Sequence, residues 1–141
     1  MDVGSLGYGA ALGLAALGSA FGMGKAGQAV VGAWKKCYLN NKPAPFMLVA
    51  FVGMPLTQTF YGLILMSAIL TSSLPSVVLM EVGLFGGIAI GASAYGQGLA
   101  AAASSDAMAE TGKGFGNYIM VIGLIETVAL FAMVFLRGIV A

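Results

Sequence analysis

The chain has 141 residues, of which 60% are hydrophobic and 8% charged, with a net charge of +1 and no histidine. A soluble domain carries about 25% charged residues, so this composition excludes a sizeable aqueous domain and describes a membrane protein. The charge balance gives no case for nucleic acid, the lack of histidine excludes a histidine-based triad, and the single Cys37 excludes an intrachain disulfide. Without a Cys/His cluster no zinc or iron centre is expected, and the chain reads as non-enzymatic.

The N-terminus begins Met1-Asp2 without the basic region of a signal peptide, so the first segment is read as a retained helix. Four apolar segments, at about 4–34, 45–70, 75–104 and 115–139, are each long enough to cross a hydrocarbon core of about 30 Å. Strands are not expected, because open sheet edges are not tolerated in lipid. The expected fold is all-α: four transmembrane helices in two hairpins, covering 1–72 and 73–141. Lys35, Lys36 and Lys42 fall in the first break and Lys113 in the third, while the second break has no basic residue. The positive-inside rule then puts loops 35–43 and 105–114 in the cytoplasm and both termini on the outer side of the cell membrane.

The two hairpins are related by an internal repeat. Ser19-Ala20-Phe21-Gly22-Met23-Gly24-Lys25-Ala26 corresponds to Ser93-Ala94-Tyr95-Gly96-Gln97-Gly98-Leu99-Ala100, and Leu56-Thr57-Gln58-Thr59 to Leu124-Ile125-Glu126-Thr127. Residues of an antiparallel hairpin lie level when the turn is midway between them. The turn Thr111-Gly112-Lys113-Gly114 is midway between Gln97 and Glu126, and Asn40-Asn41 is midway between Met23 and Gln58. Each pair is therefore expected at one depth. Gly9 and Gly13, Gly18 and Gly22, and Gly83, Gly87 and Gly91 recur every four residues in the first and third helices. Such stripes allow close backbone approach and suit an inner ring of helices. The second and fourth helices carry the bulk: Phe46, Phe51, Phe60, Tyr61, Tyr118, Phe131 and Phe135.

Glu126 stands in the middle of the apolar run from Tyr118 to Leu136. An acid at membrane depth costs about 2.5–3.5 kcal/mol on insertion scales and is by default functional. In the second helix Pro55-Leu56-Thr57-Gln58-Thr59-Phe60-Tyr61 breaks an otherwise apolar run. Pro55 has no N–H, so the carbonyl four residues back, at Phe51, loses its helical partner. Thr57, Gln58 and Tyr61 fall near one helix face. Gln97 adds an amide from the third helix. One carboxylate among neutral oxygens suits a monovalent cation, since hard cations take oxygen ligands and Ca²⁺ would want more carboxylates. A proton needs only the carboxyl and a hydrogen-bond partner. The plainer reading of Gln58 and Gln97 is interhelical glue.

With these residues in place, the chain resembles the membrane-ring proteolipid (c/K subunit) of V-type and A/V-type rotary ATPases. The resemblance covers nearly all of it: duplicated hairpin, four helices, one carboxylate in the fourth. The sodium-pumping bacterial members carry a Pro-x-Thr-Gln-x-x-Tyr pattern, matched by Pro55, Thr57, Gln58 and Tyr61, a Gln matched by Gln97, and a Glu-Thr matched by Glu126-Thr127. The resemblance implies Na⁺ ligands at Thr57, Gln58, Gln97, Glu126 and the backbone carbonyl of Met54, with Tyr61 orienting the carboxylate. It points to the carbonyl of Met54, whereas helix geometry alone frees that of Phe51.

The resemblance further implies a non-catalytic subunit in a ring of identical copies within lipid. That ring turns against a static membrane subunit bearing an essential Arg. Central-stalk subunits would dock on the cytoplasmic loops, with Lys35, Lys36, Asn40, Asn41, Asp106, Glu110 and Lys113. Cargo is Na⁺, with H⁺ as the alternative, and no organic cofactor is implied. Two other classes share part of the pattern. A small four-helix multidrug exporter has its key acid in the first helix and lacks the duplication, and a purely structural bundle or pore former is the third possibility. Glu81, near the outer end of the third helix, is given no role by the sequence.

Overall fold

The computed structural model describes residues 3–141, and every regular element among them is helical. Met1 and Asp2, within the expected first hairpin and its outer terminus, lie outside the described residues. The elements are α1 (Gly4–Leu39), α2 (Leu48–Gly53), a 3₁₀ turn (Met54–Leu56), α3 (Thr57–Thr71), α4 (Ser76–Thr111) and α5 (Phe115–Val140). In lipid only internal hydrogen bonding satisfies the backbone, so even the glycine-rich α1 and α4 stay helical throughout. Four spans are long and apolar enough to cross a membrane: α1, α2 to α3 taken together as Leu48–Thr71, α4 and α5. The two halves meet in the non-helical segment 72–75.

The helices outrun the spans expected from hydropathy. The first continues to Leu39 rather than 34, the third to Thr111 rather than 104. Loop 105–114 shrinks accordingly to the non-helical stretch 112–114, whereas loop 35–43 shifts to 40–47 because the second span starts at Leu48 rather than 45. Hydropathy marks where a helix leaves lipid, and good helix formers such as Lys35, Lys36, Ala107, Met108 and Glu110 carry it on into water. The ends have local causes. Asn40 Nδ2 caps the carbonyl of Lys36 at 2.8 Å. Gly112, at φ 65°, returns its N–H to Met108 O at 2.8 Å, a left-handed cap that suits glycine.

The extended ends are tied across α1 and α4: Lys36 Nζ donates to Glu110 Oε1 and lies 3.6 Å from Asp106 Oδ1. The bond to Glu110 holds the Lys36 ammonium above its usual pKa, and Lys36 holds the Glu110 carboxyl below the usual carboxylate range. Both groups face water, where such pairs contribute little.

The centre of the molecule is the contact between α1 and α4. Gly7 lies on the backbone of Leu79 and Met80, Gly18 on Gly91, and Gly22 on Ala94 and Gly98. A Cβ at Gly87 would meet Ala10 O at 2.5 Å. Residue numbers rise together along both helices, so the two repeat-equivalent helices run parallel, backbone against backbone. Gly9 and Gly13, expected within the packing stripe, instead face open space. The stripe runs through Gly7, Ala11, Ala15, Gly18, Gly22 and Ala26, which are buried. Small residues are so frequent in α1 that several stripes share a near-helical period; the one used meets α4 at Gly7, Gly18 and Gly22, and meets Gly62 of α3 at Ala11 and Ala15.

The α2–α3 segment and α5 form the second layer and carry the bulk. Phe51 is fully buried and stacks on Phe115 at 5.2 Å, with Tyr118 edge-on at 6.5 Å. Phe46, Phe60, Phe131 and Phe135 instead stand on the outside, as residues facing lipid would.

Candidate functional site

The 3₁₀ turn follows from Pro55, which cannot donate to the helical ladder. It breaks the expected second helix between α2 and α3 and turns carbonyls toward side chains. Met54 O accepts both the Thr57 N–H and the Thr57 hydroxyl, the latter at 3.0 Å. Thr57 Oγ1 also lies 3.1 Å from Gln58 Oε1.

From there a continuous chain of polar contacts crosses three helices. Gln58 Nε2 donates to Gln97 Oε1 at 2.9 Å. Gln97 Nε2 donates to Ile122 O and to Glu126 Oε2, each at 3.2 Å. Tyr61 OH donates to Glu126 Oε1 at 2.9 Å. Gln58 and Gln97 are fully buried, while Thr57, Tyr61 and Glu126 are half-buried between α3 and α5. All six positions singled out by sequence, Met54, Thr57, Gln58, Tyr61, Gln97 and Glu126, are brought together.

Gln97 and Glu126 are level, as the hairpin midpoint requires. Three details depart from the sequence reading. Gln58 is not level with Met23. The contacts of Gly22 with Pro55 and of Ala15 with Gly62 bracket Gln58 and set it opposite Ser19, one turn earlier. The first connector has a non-helical stretch from 40 to 47, so its turn is not centred on Asn40-Asn41. Thr127, beside Glu126, bonds back to Leu124 O at 2.7 Å and takes no part in the cluster. Sequence reasoning missed Ser93, whose hydroxyl donates to Ile125 O at 2.8 Å. The signal available was its position four residues before Gln97 on the same face.

The seam holds one carboxyl group among neutral polar groups. Each Glu126 oxygen accepts a bond from a neutral donor, Tyr61 or Gln97. Ile122 O holds the Gln97 amide in this orientation. Around Thr57 the Met54 carbonyl already receives the Thr57 N–H, so the hydroxyl proton is free for the buried Gln58 Oε1, which has no other donor among the described residues. Among the described residues no three His, Cys, Asp or Glu side chains gather as a metal cluster.

The fold and this seam define a class: a membrane proteolipid of duplicated helical hairpins with one embedded carboxylate. Residues 80–136 match the ATP synthase C-subunit family, a stretch that includes both Gln97 and Glu126. Over 134 residues, 93% of its length, the chain is 34% identical to the A-type ATP synthase subunit K of Methanocaldococcus jannaschii, and it spans 58% of that protein. Over nearly its whole length the chain is similar to the K-type proteolipid of an A-type ATP synthase, and its second half to the ATP synthase C-subunit family.

Proposed function

We propose that this protein is the non-catalytic rotor-ring subunit of an A/V-type ATPase and that it carries Na⁺ on Glu126. Several copies would form a ring in the membrane, turning against a static subunit with an essential Arg and driven or followed by a central stalk at the loops near Lys36 and Glu110. These loops are taken as cytoplasmic, with both termini outside. Similarity to the proteolipids and the four spans support the ring; the gathering of neutral oxygens from Met54, Thr57 and Gln58 beside the Gln97–Glu126 pair is the observation that favours Na⁺. Carboxylate, two amide oxygens, the Thr57 hydroxyl and the Met54 carbonyl make a set of hard ligands with one negative charge. Proton transport is the second reading. Glu126 with Tyr61 and Gln97 would suffice for it, but it gives Thr57 and Gln58 no part beyond their own hydrogen bonds.

In this reading the chain's residues do three things. Glu126 supplies the charge that attracts the cation. Gln58, Gln97, Thr57 and Met54 replace its water shell. Tyr61 and Gln97 hold the carboxylate in place when the cation leaves. Binding neutralises Glu126, so the loaded site faces lipid at far lower cost than the ionised one. Unloading is thereby confined to a polar passage, where the static Arg can stand in for the cation. Moving each charge against the membrane potential costs about 2.3 kcal/mol per 100 mV, which ATP hydrolysis elsewhere in the complex must supply.

Glu126→Gln is expected to abolish ion transport while rings still assemble; retained transport would refute the reading. In parent rings a carbodiimide should label Glu126 at mildly acidic pH, with Na⁺ protecting at concentrations where K⁺ does not. Labelling indifferent to Na⁺ would leave the proton reading.

A further inference from the structure

We infer that Ser93 is a positioning residue for Glu126, and that its hydroxyl sets the cation affinity of the site without touching the cargo. The inference rests on the reading of Glu126 as the cargo-binding group.

Hydroxyls in a membrane helix ordinarily return their proton to the carbonyl one turn back on the same helix. The other serines of α3 and α4 with a bonded hydroxyl do so: Ser67 to Leu63 O at 2.9 Å, Ser104 to Ala100 O and Ser105 to Ala101 O at 2.8 Å each. Ser93 breaks this habit. It is 6% exposed, and its hydroxyl crosses to α5, to the carbonyl of Ile125, the residue immediately before Glu126.

Ser93 and Gln97 are one turn apart on α4 and so share a face. Together they fasten α5 at two carbonyls, Ile125 and Ile122. In a regular helix the Ile122 carbonyl also receives the Glu126 N–H. The two tethers therefore bracket the turn that carries the carboxylate, fixing the rotation and height of α5 at the one place where the seam needs them. The repeat supplies an internal comparison. Ser19, the counterpart of Ser93, is 2% exposed, yet its hydroxyl has no partner among the described residues. It stands in the hairpin whose counterpart of Glu126 is Gln58. The serine is bonded across helices only where a carboxylate has to be placed.

The test uses detergent-purified intact rings and reads two quantities from carbodiimide labelling of Glu126: the Na⁺ concentration giving half-protection, and the pH midpoint in the absence of Na⁺. An interhelical hydrogen bond in a membrane changes an equilibrium by about threefold to tenfold. Ser93→Ala should weaken Na⁺ protection by that factor and shift the pH midpoint. Ser93→Cys, of similar shape but a weaker donor, should fall between Ser93→Ala and the parent. This variant also decides the matter if Ser93→Ala does not assemble. Ser19→Ala should match the parent in both readouts. Unchanged half-protection and pH midpoint in the assembled Ser93 variants would overturn the inference, as would an equal shift from Ser19→Ala. If Na⁺ never protects the parent but the Ser93 variants still move the pH midpoint, the sodium reading fails and the positioning role stands. If Glu126 of the parent ring is not labelled at all, both fall.

Discussion

At the scale of single residues, the seam depends on unequal partners. Tyr61 is the one side chain that donates to Glu126 Oε1 among the described residues. A hydrogen bond to a charged group contributes about 1.5–3 kcal/mol, reduced here because Glu126 is only half-buried. Tyr61→Phe is therefore expected to lower Na⁺ affinity by roughly tenfold while leaving the ring intact, measured as the Na⁺ dependence of transport; an unaltered dependence would contradict the assignment. Of the six candidate positions, Glu126, Gln58 and Gln97 stand out in the sequence because an acid and amides are conspicuous in apolar segments, Thr57 and Tyr61 because they share a helix face with Gln58, and Met54 only through the family resemblance. The choice between the carbonyls of Phe51 and Met54 was not legible from helix geometry. The structure places the Met54 carbonyl against Thr57 because the chain tightens into a 3₁₀ turn at Pro55 instead of remaining α-helical. Ser93 was not legible either, because serine in a helix usually bonds its own backbone and nothing local distinguishes one that crosses.

At the scale of elements, the site is carried by α3, α4 and α5, and α1 serves as the parallel partner that fixes α4. Gly18 lies directly on the Gly91 backbone, and no flexible side chain can yield there. Overpacking a close contact costs about 1–3 kcal/mol, occasionally more. Gly18→Leu should therefore lower the thermal stability of the ring in detergent, whereas Gly32→Ala, where nothing lies within 4 Å of an added Cβ, should not. Equal effects would argue against the observed α1–α4 face. Four spans and two hairpins followed from hydropathy and the repeat. The helix ends did not, because Lys35 to Leu39 and Ser105 to Thr111 are polar enough to leave lipid yet remain good helix. Nor did the packing face of α1, where Gly9 and Gly13 offered the same spacing as the stripe actually used. The level of Gln58 departs from expectation for a related reason: the midpoint rule needs a symmetrical turn, and only the second hairpin has one.

At the scale of the whole molecule, duplication divides the work. Both hairpins keep the helix pairing and the serine, but Gln58 stands where the second hairpin has Glu126, so one charge serves two hairpins. The amide is not idle: it extends the seam across to α3 and brings Thr57 and Met54 with it. A rotor built of such chains would carry one cargo ion per four helices. The outward faces of α3 and α5, with Phe60, Leu124, Val128, Phe131 and Phe135 exposed, give the half-buried carboxylate an apolar surround that it can tolerate only when neutralised.

Equilibrium binding of radioactive Na⁺ to purified rings tests this account most directly. Saturable binding of one Na⁺ per chain, lost in Glu126→Gln and undiminished by K⁺ at equal concentration, is the expected result. Absence of saturable binding in the parent, or binding that survives in Glu126→Gln, would contradict it.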